Sequence, residues 1–400
     1  MMKRSLIAGT AVVVLCASGL AWAAGDSAPV LVWSQQAPGW GQPGASANVY
    51  YGGGVFNGQF YTAELNWGPQ VYGPTQTGDP PTAMVRDFRT ATEASAYNGA
   101  RTSVLIGDYI FFNRQDKSVG MVHLNRLNSD WTNLVAFPED NMNNDVAPEG
   151  MTTDGTFLFT TQSTVKNVIR KYAIDNQPDS FTLTKTLEIT VAGANTFRAI
   201  SHYNGFLYVV DNLGSKGIYE INASTGEYRQ LGTHVGETGY QAVRYGNRLF
   251  VIDGRESGAT QNLTIYTISG GTLATSKSYN LTESNPLILG LWGIGVIGNG
   301  NNVAGFWVTS SNAFVSFFSY KTCNEPFADS NGDGVVDMND FAAFQACYLV
   351  DGMALEQVQS YFCKCFDVDD NGKVDLADLR AFEACASGPA IPWTSSTECP

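Results

Sequence analysis

Six times between residues 57 and 301 a turn dipeptide is followed by a short aromatic or aliphatic run, and this recurrence limits the fold more than any other feature. Asn57-Gly58 precedes Phe60-Tyr61, Gly107-Asp108 precedes Tyr109 to Phe112, and Asp154-Gly155 precedes Phe157 to Phe159. Asn204-Gly205 precedes Phe206 to Val210, Gly246-Asn247 precedes Leu249 to Ile252, and Gly300-Asn301 stands before Phe306-Trp307. The six glycines are 49, 48, 50, 41 and 54 residues apart. Such pairs close hairpins, because both central residues of the favoured turn need positive φ. A second run follows most turns: Val122-His123-Leu124, Ile169 to Ile174, Ile218 to Ile221, Ile265 to Ile268 and Phe314 to Phe318. Three or four short strands per unit of about 50 residues predict a mainly β chain folded as a β-propeller. Six blades over residues 51–322 fit best, seven is the next count, and an array of β-sandwiches is the rival architecture.

The ends of the chain read differently. Lys3 and Arg4 precede an apolar run from Leu6 to Leu20, closed by Ala21-Trp22-Ala23, so residues 1–23 read as a signal peptide and the mature protein as secreted or cell-surface. Later apolar stretches such as Pro286 to Val296 are too short for a transmembrane segment. Residues 24–50, rich in Gly, Pro, Ser and Gln, read as a flexible lead-in. Residues 323–400 hold 14 acidic and 3 basic residues and all six cysteines of the mature chain, Cys323, Cys347, Cys363, Cys365, Cys385 and Cys399. An even set in an exported chain reads as a disulfide framework for a small domain, with fifteen possible pairings. A metal–thiolate site is the lesser reading, since Cys363-x-Cys365 lacks zinc spacing. The formal charge of −14 excludes a nucleic-acid binder, which needs a basic face.

Within that acidic tail, residues 329–340 have the spacing of a calcium loop. Asp329, Asn331, Asp333, Asp337 and Asp340 put side-chain oxygens at loop positions 1, 3, 5, 9 and 12, Val335 offers its carbonyl at position 7, and Gly334 permits the sharp turn. The loop recurs 38 residues later with Asp367, Asp369, Asn371, the Lys373 carbonyl, Asp375 and Asp378. Phe341, Phe344 and Cys347 match Leu379, Phe382 and Cys385 at the same offset, predicting a short helix after each loop, and Met353 to Phe362 reads as a further helix. A hard cation needs six or more oxygens, so the expected cofactor is Ca2+, two ions in the tail. Eight ligand carboxylates in two tight loops repel one another without metal, which makes ion binding a part of folding.

Residues 327–386 resemble the type I dockerin repeat, a duplicated, EF-hand-like calcium-loop-plus-helix module of secreted bacterial proteins. The resemblance implies an attachment module that docks onto a cohesin-like extracellular protein, often on behalf of a polysaccharide-degrading enzyme. Its partner contacts would fall at Met338-Asn339 with Gln345-Ala346, and at Leu376-Ala377 with Glu383-Ala384, where the family carries small hydroxyl residues and a basic pair. The unit from Phe206 through Asn212 to Glu227 resembles blades of bacterial six-bladed propellers, a group holding lactonases, quinone-dependent dehydrogenases and pure binders.

Residues for chemistry in the large domain are sparse. His123, His202 and His234 are scattered, and neither a nucleophile elbow nor a phosphate-cradling loop is present. Asp154-Gly155 reads as a hairpin turn rather than a sialidase-type Asp box. Asp211-Asn212 and Asp253 end equivalent strands, where they cap turns or, in lactonase-like propellers, ligate metal. Trp33, Trp40, Trp67 and Trp131 are candidates for stacking on sugars. These observations predict a secreted calcium-binding protein whose propeller recognises an extracellular ligand such as a polysaccharide, with no catalytic residue identified. A glycoside hydrolase or polysaccharide lyase carrying the same tail is the alternative.

Overall fold

The computed structural model describes residues 29–36, the strand segments between 50 and 136, most of 148–320, most of 327–348 and 363–392, and Cys399. The expected signal peptide, the expected helix at 353–362, and Trp40, Trp67 and Trp131 lie outside them.

Strand β1 (Val30–Gln36) is followed by β2 (Tyr50–Phe56), β3 (Gln59–Glu64), β4 (Gly68–Tyr72) and β5 (Met84–Asp87), which form the first sheet. The second holds β6 (Ser103–Ile106), β7 (Tyr109–Asn113), β8 (Ser118–His123) and β9 (Asn133–Ala136), and the third β10 (Pro148–Thr153), β11 (Phe157–Gln162), β12 (Val168–Gln177) and β13 (Ser180–Thr190). The fourth is β14 (Phe197–Tyr203), β15 (Phe206–Asp211), β16 (Gly217–Asn222) and β17 (Tyr228–Thr233), and the fifth β18 (Gln241–Tyr245), β19 (Arg248–Ile252), β20 (Asn262–Ser269) and β21 (Thr272–Asn280). After a one-turn helix, α1 (Leu281–Ser284), the sixth takes β22 (Leu291–Asn299), β23 (Asn302–Ser310) and β24 (Phe314–Ser319). The first five sheets are antiparallel meanders, and the sixth is antiparallel with β1 at its outer edge. The first strands β2, β6, β10, β14, β18 and β22 each lie against the next, and β22 lies against β2, which closes a ring. This is a six-bladed β-propeller.

Four of the turn dipeptides, Gly107-Asp108, Asp154-Gly155, Asn204-Gly205 and Gly246-Asn247, join the first and second strands of a blade, and Asn57-Gly58 and Gly300-Asn301 lie outside the described residues. Gly107, Gly155, Gly205 and Gly246 adopt φ of +58°, +91°, +80° and +53°, as that turn chemistry requires. At the third, Asp154 Oδ1 accepts from Thr156 N at 2.9 Å and Phe157 N at 2.7 Å, so the pair is a hairpin turn.

The segment 24–50 departs from the lead-in expected of it, because β1 lies within it and pairs antiparallel with β24 from Val30↔Ser319 to Gln36↔Phe314. Three strands of the last blade come from the end of the domain and the fourth from its beginning, so the propeller starts before residue 51. The physical reason is the open edge of β24, whose backbone groups need a partner. Trp33 meets Trp307 edge-on at 5.6 Å, and Asn285 Nδ2 donates to Ser34 Oγ at 3.0 Å.

Burial follows position in the blade. β15 is covered on both faces by neighbouring blades and is buried from Leu207 to Asp211, whereas the outer strand β17 is mostly exposed. The core therefore lies between blades, with one apolar cluster joining each successive pair from the second blade to the sixth. Inner strands also bond directly: His202 N donates to Thr152 Oγ1 at 3.0 Å, Arg244 N to Ser201 Oγ at 3.1 Å, and Ile294 N to Gln241 Oε1 at 2.7 Å. Their approach at Gly150 is so close that a Cβ there would sit 2.2 Å from the Arg198 carbonyl.

The tail carries two helices, α2 (Met338–Cys347) and α3 (Leu376–Cys385). Phe344, Phe366 and Phe382 form its small core with Val336 and Val374. Disulfides join Cys347 to Cys363 and Cys385 to Cys399, so the last residue of each helix is tethered to a later segment. Cys365 is also disulfide-bonded. No described helix is long and apolar enough to cross a membrane.

Candidate functional site

Helices α2 and α3 begin in the same way. Asp337 and Asp375 are the N-caps, each accepting from the backbone N–H two residues on at 2.8 Å. Asp340 and Asp378, at loop position 12, close capping boxes by accepting from Asp337 N at 2.9 Å and Asp375 N at 2.8 Å. The other oxygen of each reaches back to loop position 2. Ser330 N donates to Asp340 Oδ1 at 2.8 Å, and Val368 N to Asp378 Oδ1 at 2.7 Å. Both position-12 carboxylates are buried, as are Asp329 and Asp367 at position 1. A carboxylate has about four acceptor sites, so these bonds leave capacity for a cation.

The second loop is described at all six expected ligands. Carboxylate oxygens of Asp367, Asp369 and Asp378 lie within 4.8 Å of one another. Asn371 N donates to Asp367 Oδ1 at 3.0 Å, and Lys373 N to Asn371 Oδ1 at 2.9 Å, which winds the loop around its own side chains. Burial raises the Asp378 carboxyl above its ordinary value, opposed by the Asp375 and Val368 N–H bonds and aided by the charges of Asp369 and Asp375. Convergent hard oxygens of like charge fit a divalent cation of calcium type. In the first loop Asp329, Val335, Asp337 and Asp340 are in place, while Asn331 and Asp333 lie outside the described residues.

Asp211 and one oxygen of Asp253 are held in turn bonds, while Asp253 Oδ2 and Asn212 Oδ1 are buried with no hydrogen-bond partner among the described residues. Asp211 Oδ1 accepts from Thr196 N at 3.0 Å and its Oδ2 from Ser215 Oγ at 2.7 Å, so this residue fastens a turn. Asp253 Oδ1 accepts from His234 Nε2 at 2.8 Å and Thr238 N at 3.0 Å. His234 Nδ1 is 2.7 Å from the Tyr266 hydroxyl, which also accepts from Val235 N at 2.8 Å. Burial first, and then Asp253, pushes the Tyr266 phenol up to about 12, against the Val235 bond that lowers it. Tyr266 therefore keeps its proton, and the His234 ring bridges its hydroxyl and the Asp253 carboxylate. His234, Asp253 and Tyr266 are all buried, so the cluster fastens the loop entering blade five and does not face a ligand.

His202 stacks on Phe159 with ring centroids 6.2 Å apart and accepts from Gly205 N at 3.2 Å. Burial lowers its pKa, Asp154 acts to raise it, and Lys171 lowers it further. His123 ends β8, and its side chain lies outside the described residues. The structure thus brings no two of the three histidines together among the described residues.

One grouping was not legible in the sequence. Arg198 and Trp292 are bulge residues at the starts of inner strands β14 and β22, and Tyr240 occupies the matching place just before β18. The Arg198 guanidinium lies 5.3 Å from the Tyr240 ring centroid, and Tyr240 meets Trp292 edge-on at 4.9 Å. They form a cation–aromatic line across three blades at one end of the inner ring. In loops entering the fifth and sixth blades, Val235 is 65% and Leu287 57% exposed.

No family model matches the chain, and no curated protein matches it. Among solved structures it is similar to the WD40 β-propeller domain of Doa1, at 10% identity and a TM-score of 0.45, over 73% of this chain and 97% of that one. It is also similar to the computationally designed Ika8 protein, at 8% identity and a TM-score of 0.39, over 68% of this chain and 70% of that one. The six-bladed assignment stands on the strand order and the closed ring of inner strands.

Proposed function

We propose that the protein is an exported, two-domain calcium-binding protein whose propeller recognises an extracellular ligand and whose dockerin-like tail attaches it to a partner. One observation carries this reading: two loops 38 residues apart fold onto their twelfth-position carboxylates through the same backbone bonds, at Asp340 and at Asp378. A duplicated loop with that closure and an oxygen-only donor set suits two calcium ions. Bound calcium would neutralise converging carboxylates and draw each loop against its helix, so ion binding becomes part of the tail's stability. Met338 and Leu376, 69% and 52% exposed at matching helix starts, give the attachment face an apolar character.

Recognition by the propeller is supported by the Arg198–Tyr240–Trp292 line, in which buried Tyr240 backs the partly exposed Arg198 and Trp292, whose guanidinium and indole suit the oxygens and ring face of a polysaccharide. The mature chain is to be incubated with neutral and uronic-acid polysaccharides, measuring bound polymer and newly formed reducing or unsaturated ends together. Binding without new ends, lost in a Trp292→Ala variant that remains folded, is the expected result. New ends would make the protein a hydrolase or lyase, and neither binding nor new ends would refute polysaccharide recognition.

A further inference from the structure

The chain following α3 folds back onto the first loop rather than the second. Val336, at position 8 of loop one, is fully buried between the expected carbonyl ligand Val335 and the carboxylate Asp337. Its N–H donates to Ser387 Oγ at 2.9 Å. Its carbonyl accepts from Ser387 N and Gly388 N, both at 3.1 Å. Both backbone polar groups of a residue flanked by two ligands are therefore held by a dipeptide 51 residues away. Just beyond this pair of bonds Gly388 turns the chain, with a φ of +89°, a conformation side-chain-bearing residues rarely adopt. Ile391 N then donates to Gly388 O at 3.2 Å, closing a turn, and Cys399 is bonded to Cys385 on the last residue of α3. Residues 386–392 thus form a strap that leaves α3 and makes its contact on loop one, with Cys399 further along bonded back to Cys385.

Resting on the calcium reading above, we propose that Ser387 is a positioning residue for the first calcium loop: repeat two's trailing segment sets the geometry of repeat one's site. A loop free to move at position 8 can displace both the Val335 carbonyl and the Asp337 carboxylate, and ordering them again when the cation binds costs conformational entropy that a held position 8 does not. Ser387 thereby makes the two repeats unequal, because among the described residues its bonds reach loop one.

The test is a set of calcium titrations on the full mature chain. In an Asp367→Ala background, which leaves loop one to bind, Ser387→Ala is expected to weaken affinity about five- to tenfold, the fold-change one lost hydrogen bond commonly produces. In an Asp329→Ala background, which leaves loop two, the same change is expected to have no effect, and Ser387→Thr restores loop one. Equal weakening in both backgrounds, or none in either, overturns the proposal. Amide exchange of Val336 in chelator separates it from the calcium reading. Protection in the wild type, lost in Ser387→Ala, supports the strap even if no calcium binds; no protection in either overturns it.

Discussion

Replacing Asp253 by Ala separates a structural His–Asp–Tyr cluster from a functional one. The carboxylate is 1% exposed and accepts two bonds, from His234 Nε2 at 2.8 Å and Thr238 N at 3.0 Å. Alanine would leave both donors buried beside a void. An orphaned buried donor costs about 1–3 kcal/mol, so the variant is expected to lose about 2–6 kcal/mol, with about 4 the central value. Asp253→Asn can keep an oxygen where Oδ1 stands and so preserve both bonds at a cost of about 1 kcal/mol. The assay is denaturant unfolding of the mature chain in excess calcium, following near-ultraviolet circular dichroism of the propeller. A loss below about 1 kcal/mol for Asp253→Ala would refute the reasoning. Asn as damaging as Ala would place the effect in the charge instead of the bonds.

Gly236→Ala should also destabilise the propeller, by about 1–3 kcal/mol, because the new Cβ would meet Asp253 Oδ2 at 1.8 Å and His234 Nε2 at 2.4 Å; thermal melting checks it. His202 has a folded pKa below its ordinary 6.5, so the folded state binds fewer protons than the unfolded one. The propeller should therefore lose stability as pH falls below about 6.5, and His202→Gln should flatten that slope in unfolding measured from pH 7 to 5.5. Removing residues 24–36 takes away β1 and opens the edge of β24, so the truncated chain should aggregate or be proteolysed while the mature chain resists. Chelation should lower the melting temperature of the tail: each loop saturated at a hundredfold its dissociation constant adds about 2.7 kcal/mol. At 4–8 °C per kcal/mol for a small domain, the two loops together give a shift of about 20 °C or more. A scan with and without chelator decides it.

What the sequence disclosed and what it hid divide by chain distance. Each hairpin turn is a local contract between two residues and the strands beside them, so Asp154-Gly155 and Asn204-Gly205 declare themselves without the rest of the fold. The second loop's ligands lie within twelve residues, and their convergence follows from their spacing. Strand β1 gave no such sign. Val30-Leu31-Val32-Trp33 is short and set among Pro, Gly and Gln, and the partner that makes it a strand begins 278 residues beyond its last residue, at Phe314. The same applies to His234, whose partners Asp253 and Tyr266 come from two other elements, 19 and 32 residues on. Arg198, Tyr240 and Trp292 meet only because blades close a ring, and no sequence period marks a bulge residue. Fifteen cysteine pairings were open from sequence; the fold selects Cys347–Cys363 and Cys385–Cys399 by placing each helix end beside its own trailing segment.

Calcium stoichiometry tests the central claim most directly. The mature chain, stripped with chelator and dialysed, is titrated with calcium by calorimetry, alongside Asp329→Ala, Asp367→Ala and the double variant. Two ions per wild-type chain, one for each single variant and none for the double variant is the predicted series. Unchanged stoichiometry in the variants, or no uptake by the wild type, would contradict the account of the tail.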